Sequence, residues 1–506
     1  MKLNNVSLKN KEEWLAKDYE LPEFDREEMC AKTKEEPVWV HFGPGNIFHA
    51  YHAVVCQKAL NNKDMTSGIV CGEFYNENLA KLVNDVDGLC IHAEIKGDGK
   101  IEKRIVASVA DTFFVNKDDG LAGLKETFKK PSLQLVTFTV TEKGYVYKEE
   151  EEYNPDLYMA RVTACLAERY KACNKEIAMV STDNCAHNGD RLKATVKHYA
   201  DLMIKNNLVD NGFINYIDTK VSFPLSMIDK ITPGPDAKIE EILRADGIEG
   251  SMRFANAEET GYLVIEDLFP NGRPALEKYG VIFTDRETVD RVEKMKVGTC
   301  LNPLHTSLAV FGCLLGYNRI SAELKDEDLV NLIKGVGYVE GLPVAENPGV
   351  LNPKEFIDTC INVRFPNPYI PDMPQRIATD TSQKIPMRFG GTIKKYYDKF
   401  GSAKELNYIP FVIAGWLRYL LAIDDEGNDF TPSPDPLLEE VQAYLKGVKL
   451  GDTVTDDVVH PILKDERIFT ISLYDAGIAD KVLDYFNLLI KEPGAVRKQL
   501  HNLYIK

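Results

Sequence analysis

The sequence lacks the short patterns by which several classes of protein are recognised. None of its ten cysteines forms a Cys-x-x-Cys pair, and its nine histidines include no His-Glu-x-x-His string. Compact zinc sites of these kinds are therefore excluded, whereas a metal site built from dispersed Asp, Glu and His residues stays open. The cysteines are scattered and several lie in apolar strings, which indicates reduced, mostly buried thiols in a cytoplasmic protein.

Long apolar runs and positive charge are also scarce. No run of about 18 apolar residues occurs, so we expect no membrane-spanning helix. Residues 1–20 lack the apolar stretch of a signal peptide. The chain has 61 Lys and Arg against 78 Asp and Glu, a formal net charge of −17. Because an acidic surface repels nucleic acid and anionic lipid, we expect neither as a partner.

The periodicity of apolar residues divides the 506 residues into three parts. Residues 1–36 are polar and charged and are interpreted as an N-terminal extension. Over residues 37–286, short β-rich runs alternate with helical periodicity, which predicts a Rossmann-type, doubly wound α/β domain. Over residues 287–506, helical periodicity dominates between proline-rich connectors. We therefore predict a mostly α-helical C-terminal domain there.

A glycine-rich turn follows the first β-rich run of the predicted sheet. Gly43 and Gly45 come directly after residues 38–42 and precede a helical pattern that ends near residue 61. Two glycines in this place allow a pyrophosphate to approach backbone N–H groups at a helix N-terminus. The alternative is an ordinary structural turn, because Phe48 replaces the third glycine of the dinucleotide-binding pattern.

Glu73 ends the second β-rich run, over residues 69–73. A carboxylate in this place binds ribose hydroxyls and repels a 2′-phosphate, which favours NAD over NADP. The alternative is a solvated glutamate at the end of a strand.

Three polar residues lie together at the entry to an apolar helix. They are Lys296, Asn302 and His305, and the apolar run begins at Leu308. Hydride transfer between an alcohol and a nicotinamide needs a base for the hydroxyl proton and donors that stabilise the developing alkoxide. A desolvated lysine can be that base, and an amide and an imidazole can be the donors. The alternative is a surface lysine followed by a helix-capping asparagine.

Two weaker patterns suggest other chemistry. Tyr216 and Lys220 match the Tyr-x-x-x-Lys string of short-chain dehydrogenases, but no serine stands at the expected upstream position. Cys185 and His187 lie beside Asn184, but no oxyanion turn or third member accompanies them. A non-catalytic binding protein on a dehydrogenase scaffold is a further alternative.

Eight strings, in order along about residues 38–430, resemble the polyol-specific long-chain dehydrogenases. This family includes mannitol 2-dehydrogenases, fructuronate reductases (mannonate oxidoreductases) and tagaturonate reductases (altronate oxidoreductases). The strings are FGPGN at 42–46, VTEKGY at 140–145, STDN at 181–184 with NG at 188–189, FPLSMIDKITP at 223–233, VIED at 264–267 with NGRP at 271–274, KVGTCLNPLH at 296–305, DTSQKIP at 380–386 and AGWLRY at 414–419.

The resemblance implies an NAD(P)-dependent, zinc-independent oxidoreductase that acts on a secondary alcohol of a sugar-derived chain, with NADH as the expected cofactor. Matched position by position, it implies Lys296 as general acid/base, Asn184 and Asn302 as oxyanion donors, His305 as a substrate and carbonyl donor, and Glu293 as a proton relay to the lysine. Asp229, Arg376 and Lys384 match substrate contacts. The expected cofactor-binding residues are Gly43, Gly45, Asn46, Ile47, Phe48, Glu73 and Thr141.

The sequence departs from the family pattern in three places. Five residues instead of four separate Lys296 from Asn302. Since one residue rotates an α-helix by about 100°, either the lysine precedes the helix proper or a bulge absorbs the extra residue. The turn reads GPGNIFHA where the family commonly has GxGxFHRAH, without the arginine. Thr379 stands where mannitol 2-dehydrogenases have a substrate-binding histidine, which argues against a simple polyol substrate.

Within the family, three strings are more similar to fructuronate reductases than to mannitol 2-dehydrogenases. They are those at 140–145, 382–386 and 414–419. Arg376, Lys384 and Lys230 also offer cations for a substrate carboxylate. We therefore expect interconversion of D-fructuronate and D-mannonate, with fructose and mannitol, or tagaturonate and altronate, as alternatives. The expected partner is a small sugar acid or polyol, and the expected state is a monomer or small homo-oligomer.

Overall fold

A computed structural model describes residues 1–503 of the chain. It divides into two compact units. The first comprises Met1–Lys96 and Lys100–Val289, and the second comprises Gly97–Gly99 and the chain from Asp290 onward.

All the named strands of the described chain lie in or at the edge of the first unit. They are β1 (Tyr19–Glu20), β2 (Trp39–Phe42), β3 (Ile69–Glu73), β4 (Cys90–Ile95), β5 (Ile101–Val106), β6 (Val109–Phe114), β7 (Leu135–Phe138), β8 (Ile177–Ser181), β9 (Val221–Ser222), β10 (Ser226–Asp229), β11 (Phe254–Glu258), β12 (Tyr262–Glu266) and β13 (Val281–Thr284).

Six of these strands form a parallel sheet in the order β6-β3-β2-β7-β8-β9. The order reverses between β2 and β7, as in Rossmann-type sheets, so the predicted fold class is confirmed. β2, β3, β7 and β8 are buried at every residue. Burial on both faces explains why these strands are continuous apolar runs in the sequence.

Two smaller sheets complete the first unit. Their orders are β1-β5-β4-β11 and β10-β12-β13. β4 and β5 pair antiparallel, with Cys90 opposite Val106 and Ile95 opposite Ile101. The segment 1–36 contributes β1, which pairs with β5, and the fully buried Trp14. This segment is therefore packed onto the first unit.

The helices of the first unit cover its sheets. They are α1 (Asn5–Leu8), α2 (Lys11–Leu15), α3 (Arg26–Glu35), α4 (Ala53–Asn61), α5 (Glu77–Asp85), α6 (Asp118–Phe128), α7 (Tyr158–Ala172), α8 (Asn188–Lys205), α9 (Gly212–Lys220), α10 (Ala237–Ala245) and α11 (Arg286–Met295), the last of which continues into the second unit.

The second unit is helical, as predicted. Its helices are α12 (Asn302–Leu314), α13 (Ile320–Glu323), α14 (Glu327–Lys334), α15 (Pro353–Thr359), α16 (Pro374–Ile377), α17 (Thr381–Ile385), α18 (Gly391–Phe400), α19 (Tyr408–Leu420), α20 (Leu438–Tyr444), α21 (Asp456–Leu463), α22 (Glu466–Phe469), α23 (Ala479–Leu489) and α24 (Ala495–Asn502). α12 and α19 are buried along almost their whole length.

Several helices contain a π-helical turn, in which one extra residue is accommodated by wider hydrogen bonding. These turns are Phe48–His52, Lys296–Cys300, Gly335–Gly341, Cys360–Arg364 and Pro386–Gly390. Short 3-10 turns lie at Glu142–Tyr145, Leu276–Tyr279 and Leu342–Val344.

One helical stretch, Arg286–Leu314, is long and apolar enough by composition to cross a membrane. Within it, 78% of the most apolar window is buried inside the protein. Such burial is typical of the core helix of a soluble protein.

Candidate active site

The glycine turn after β2 lies very close to the backbone of the segment that follows β7. Gly43 has a φ of +82°, and a Cβ atom there would lie 2.4 Å from the carbonyl oxygen of Thr139. Only glycine fits this place without displacing backbone. Asn46 begins the helical segment that follows, and its side-chain amide donates to the carbonyl of Pro233 at 2.9 Å. The turn thus brings backbone N–H groups and a helix N-terminus to one place, which suits a phosphate.

A buried cation lies under this turn. Arg253 is only 6% exposed, and its Nη2 donates to the carbonyl of Pro44 at 2.8 Å. Burial, and then the charge of Arg253, hold the pKa of His49 well below its usual range. The sequence analysis did not identify Arg253, because it lies 209 positions from Pro44.

A second set of contacts fixes the turn from the sheet. Nε2 of His41 lies 2.9 Å from Oγ1 of Thr139, whose hydroxyl donates to the carbonyl of Gly43 at 2.7 Å. Phe48 stacks on His41 with ring centroids 4.1 Å apart and is 0% exposed. The Phe48 side chain is therefore part of the core, and any contact of this residue with a cofactor is limited to its backbone. Ile47 is half-buried.

Glu73 is the last residue of β3, and Thr141 lies three residues after β7, so the two residues lie at the ends of the strands on either side of β2. Oε1 of Glu73 accepts hydrogen bonds from the backbone N–H groups of Phe74, Tyr75 and Asn76. Thr141 has a φ of +67°, which is rare for a side chain branched at Cβ. Its N–H donates to Oδ1 of Asp183 at 2.8 Å. A strained residue held by a buried carboxylate is the kind of feature that occurs at functional sites.

Asn184 and Asp229 occupy the ends of β8 and β10. Asn184 is exposed, three residues after β8 ends, whereas Asp229 is buried at the last position of β10. Burial raises the pKa of the adjacent Asp183, although hydrogen bonds from Tyr145 and two backbone N–H groups act in the opposite direction. Of the two strands, only β8 belongs to the parallel sheet, where ligands bind at the carboxyl ends of the strands, whereas β10 pairs antiparallel with β12.

Lys296 lies at the start of a π-turn. The turn Lys296–Cys300 joins α11 to α12, and Asn302 is the first residue of α12. The bulge that the sequence analysis considered is therefore present, and it absorbs the extra residue between Lys296 and Asn302. Lys296 is only 4% exposed, so its side chain is largely removed from solvent. Glu293 lies one turn earlier on α11, half-buried.

His305 and Arg376 contact the same carboxylate. Nε2 of His305 lies 2.6 Å from Oδ2 of Asp372, and Nη2 of Arg376 donates to Oδ1 of Asp372. Burial would raise the pKa of Asp372, but His305 and Arg376 hold it below its ordinary value. Asp372 was missed by the sequence analysis. Its only signal in the sequence is the four-residue spacing from Arg376.

Lys384 and Arg388 add two further cations near Arg376. Nζ of Lys384 donates to the carbonyls of Ile377 and Thr379. Burial lowers the pKa of Lys384, and the charges of Arg388 and Arg376 lower it further. Burial also lowers the pKa of Arg388 to about 10. Arg388, also missed by the sequence analysis, donates to Oγ1 of Thr306, the residue after His305.

Tyr216 and Lys220, which match the short-chain dehydrogenase pattern, make structural contacts. The Tyr216 hydroxyl donates to the carbonyl of Lys175 at 2.7 Å, and Nζ of Lys220 donates to the carbonyl of Asn174 at 2.9 Å. Among residues 1–503, no group of three or more His, Cys, Asp or Glu side chains could hold a metal ion.

Comparison with known families decides the class of the protein. The sequence model of the mannitol dehydrogenase Rossmann domain family matches residues 38–278. The sequence model of the mannitol dehydrogenase C-terminal domain family matches residues 288–487. The chain belongs to the mannitol dehydrogenase family. The family that the eight strings predicted is confirmed.

Individual relatives agree with this assignment. The D-mannonate oxidoreductase of Thermotoga maritima is 46% identical, over 99% of this chain and 99% of that protein. The polyol:NADP oxidoreductase of Gluconobacter oxydans is 27% identical, over 81% of this chain and 85% of its own length.

Solved structures show the same fold. The mannitol 2-dehydrogenase of Pseudomonas fluorescens, in a ternary complex with NAD and D-mannitol, has a TM-score of 0.71 at 24% identity and covers 100% of both chains. A substrate-free D-sorbitol dehydrogenase has a TM-score of 0.75 at 23% identity, over 94% of this chain and 97% of its own.

Proposed function

We propose that this member of the mannitol dehydrogenase family interconverts D-fructuronate and D-mannonate with NADH and NAD. The observation that carries the proposal is the 46% identity, over 99% of both chains, to a D-mannonate oxidoreductase. The cationic group in the second unit supports the choice of a sugar acid over a neutral sugar.

The substrate carboxylate has a suitable place beside three cations. The charges of Arg376 and Arg388 both act on Lys384. An arginine guanidinium binds a carboxylate through two parallel hydrogen bonds, which a neutral hydroxymethyl group cannot reproduce. We therefore assign the carboxylate end of the substrate to these three side chains. Asp229 is assigned to a hydroxyl group of the same substrate.

The carbonyl end of the substrate is assigned to Asn184, Asn302 and His305. Amide and imidazole N–H groups that point at a carbonyl oxygen stabilise the negative charge that develops there. Lys296 delivers the proton to that oxygen in the reductive direction and removes it in the oxidative direction. Glu293, one turn away, exchanges protons between Lys296 and solvent.

The cofactor is assigned to the turn of the first unit. Gly43 and Gly45 let the pyrophosphate approach the turn closely, and the backbone N–H groups of Asn46, Ile47 and Phe48 hold it, since those of Gly43 and Gly45 donate to the carbonyls of Gly72 and Gly43. Thr141 and Glu73 lie at the ends of the strands on either side of β2. When bound, NADH supplies the hydride. The negative charge of Glu73 favours NADH over NADPH, since it repels a 2′-phosphate. The buried charge of Arg253 under the turn adds to the attraction for an anion.

We also propose a cytoplasmic location, since all ten cysteines are free thiols. We propose a monomer or small homo-oligomer, since all the assigned residues lie within one chain. Light scattering coupled to size-exclusion chromatography measures the state directly. A mass of more than about four subunits would contradict this part of the proposal.

The activity is tested by the loss of NADH absorbance with purified protein and a metal chelator. D-fructuronate, D-tagaturonate and D-fructose are compared side by side, each with NADH and with NADPH. Preference for fructuronate with NADH is the expected result. Preference for fructose would place the protein with the mannitol 2-dehydrogenases, preference for tagaturonate would place it with the altronate oxidoreductases, and no turnover would favour a non-catalytic binding protein.

The assignment of Lys296 is tested with a matched pair of variants. Lys296→Ala removes the buried lysine, and Lys294→Ala removes an exposed lysine two residues earlier on α11. We expect a loss of at least about 100-fold in kcat for Lys296→Ala, with NADH binding unchanged, and little effect for Lys294→Ala. Normal turnover by Lys296→Ala would show that another group is the base.

A further inference from the structure

One carboxylate joins two side chains that the proposed function assigns to opposite ends of the substrate. Asp372 is 7% exposed. One of its oxygens lies 2.6 Å from Nε2 of His305, and the other accepts a hydrogen bond from Arg376. The imidazole of His305 also stacks on Phe365, with ring centroids 5.2 Å apart. The ring is thus held on its face by an aromatic side chain and at one nitrogen by a carboxylate.

The backbone of Asp372 is itself fixed. Its N–H donates to the carbonyl of Ile370 at 2.8 Å, and its carbonyl accepts from the N–H of Ile320 at 3.0 Å. Glu323, in the same short helix as Ile320, is 0% exposed. Burial, and then the charges of Asp372 and Asp326, raise the pKa of Glu323 well above its usual range.

We propose that Asp372 is a positioning residue, which orients His305 toward the substrate carbonyl and Arg376 toward the substrate carboxylate. This inference rests on the proposed function, from which the two ends of the substrate are taken. An imidazole has two nitrogens, and a carboxylate at Nε2 fixes which of them carries a proton. With Nε2 held by Asp372, the other ring nitrogen is the one left to contact the substrate.

Another buried aspartate shows what a purely structural role looks like in this unit. Asp425 is also 7% exposed. Its two oxygens accept hydrogen bonds from the backbone N–H groups of Val496 and Arg497. Asp425 therefore ties one segment of backbone to another, whereas Asp372 contacts two side chains of the proposed site. Asp425→Asn is a control that matches Asp372→Asn in burial and chemistry.

The test is a double-mutant cycle with two substrates. Wild type, Asp372→Asn, His305→Gln, the double variant and Asp425→Asn are compared for kcat and KM with D-fructuronate and D-fructose, and for the Kd of NADH. We expect Asp372→Asn to lower kcat/KM for fructuronate about 10- to 100-fold, the range for one charge-assisted hydrogen bond. In the His305→Gln background its effect on kcat should shrink to less than about 3-fold, because the residue acts through His305.

The two substrates distinguish the contact of Asp372 with His305 from its contact with Arg376. Fructose has no carboxylate, so its KM should not respond to a misplaced Arg376, whereas the KM for fructuronate should rise. The Kd of NADH should not change. Two results would overturn the proposal. In the first, the effects of Asp372→Asn and His305→Gln on kcat multiply independently. In the second, Asp372→Asn loses only thermal stability, as Asp425→Asn does.

A measurement without turnover keeps this inference apart from the proposed function. The ring nitrogens of His305 are observed by NMR of protein labelled with ¹⁵N-histidine and are assigned by their loss in His305→Gln. Asp372→Asn should change the protonation pattern of this ring, and Asp425→Asn should not. An unchanged pattern would overturn the role of Asp372 even in an active enzyme. If wild type reduces no sugar acid but the ring responds, the proposed substrate is wrong and the pairing stands.

Discussion

Replacement of Glu340 by glutamine tests how a buried carboxylate at the start of the central helix α19 sets the stability of the second unit. Glu340 is 3% exposed, on the π-turn Gly335–Gly341. Its Oε1 accepts from the N–H groups of Asn407 and Tyr408, and its Oε2 accepts from Ile409 at 2.7 Å. These are orphan donors that every helix N-terminus must satisfy.

The direction of the pH effect follows from the pKa of Glu340. Burial raises it from 4.5 to about 7, although the three N–H groups and Lys481 act in the opposite sense. Between these two pH values the folded chain holds a proton that the unfolded chain has released, so stability falls as pH rises through this window. At about 1.4 kcal/mol per pH unit, the full loss is about 3 kcal/mol.

Glutamine has the same shape as the protonated acid and does not titrate. The difference in melting temperature, Glu340→Gln minus wild type, should therefore rise between pH 4.5 and pH 8, by roughly 10 °C for a unit of this size. Differential scanning calorimetry measures it, and Glu439→Gln, at an exposed glutamate of the same unit, is the control. A difference that does not change with pH would refute the raised pKa. A difference that falls with pH would show that the three N–H groups outweigh burial.

Three further predictions concern the cofactor turn and the lysine. Gly43→Ala should weaken NADH binding at least about 10-fold, because its Cβ would meet backbone at 2.4 Å, whereas Gly247→Ala, also at positive φ but with open space around it, should not. Fluorescence titration of NADH measures both, and equal affinities would contradict the assignment of the turn. Arg253→Met should weaken NADH binding several-fold, and unchanged affinity at low salt would exclude an electrostatic role. Deletion of Val297 should convert the π-turn to an α-helix and keep measurable turnover. Activity as low as that of Lys296→Ala would contradict the interpretation that the π-turn absorbs one extra residue.

The architecture was predictable from the sequence where local pattern decides it. Strands buried on both faces, such as β2 and β7, are continuous apolar runs, and the change to helical periodicity after about residue 287 predicted the helical second unit. The pairing of β1 with β5 was not predictable, because Tyr19 and Glu20 lie in a polar segment and their partners are more than 80 positions away. Such long-range pairing leaves no local signal.

The proposed site was only partly predictable for the same reason. Lys296, Asn302 and His305 lie within one short string, so their proximity is local. Asp372 and Arg388 act through contacts between distant segments, and Arg388 lies 82 positions from Thr306. For Phe48, the place in the turn suggested a cofactor contact, and the sequence did not show that its side chain packs in the core.

The π-turn at Lys296–Cys300 has a consequence for how relatives of this protein are found. A wide turn lets a chain gain one residue while the helical faces on either side keep their directions. At that point, two residues can keep the same separation in space although the number of residues between them has changed. A search pattern that requires four residues between the lysine and the asparagine would pass over this chain, and one that allows four or five would recover it.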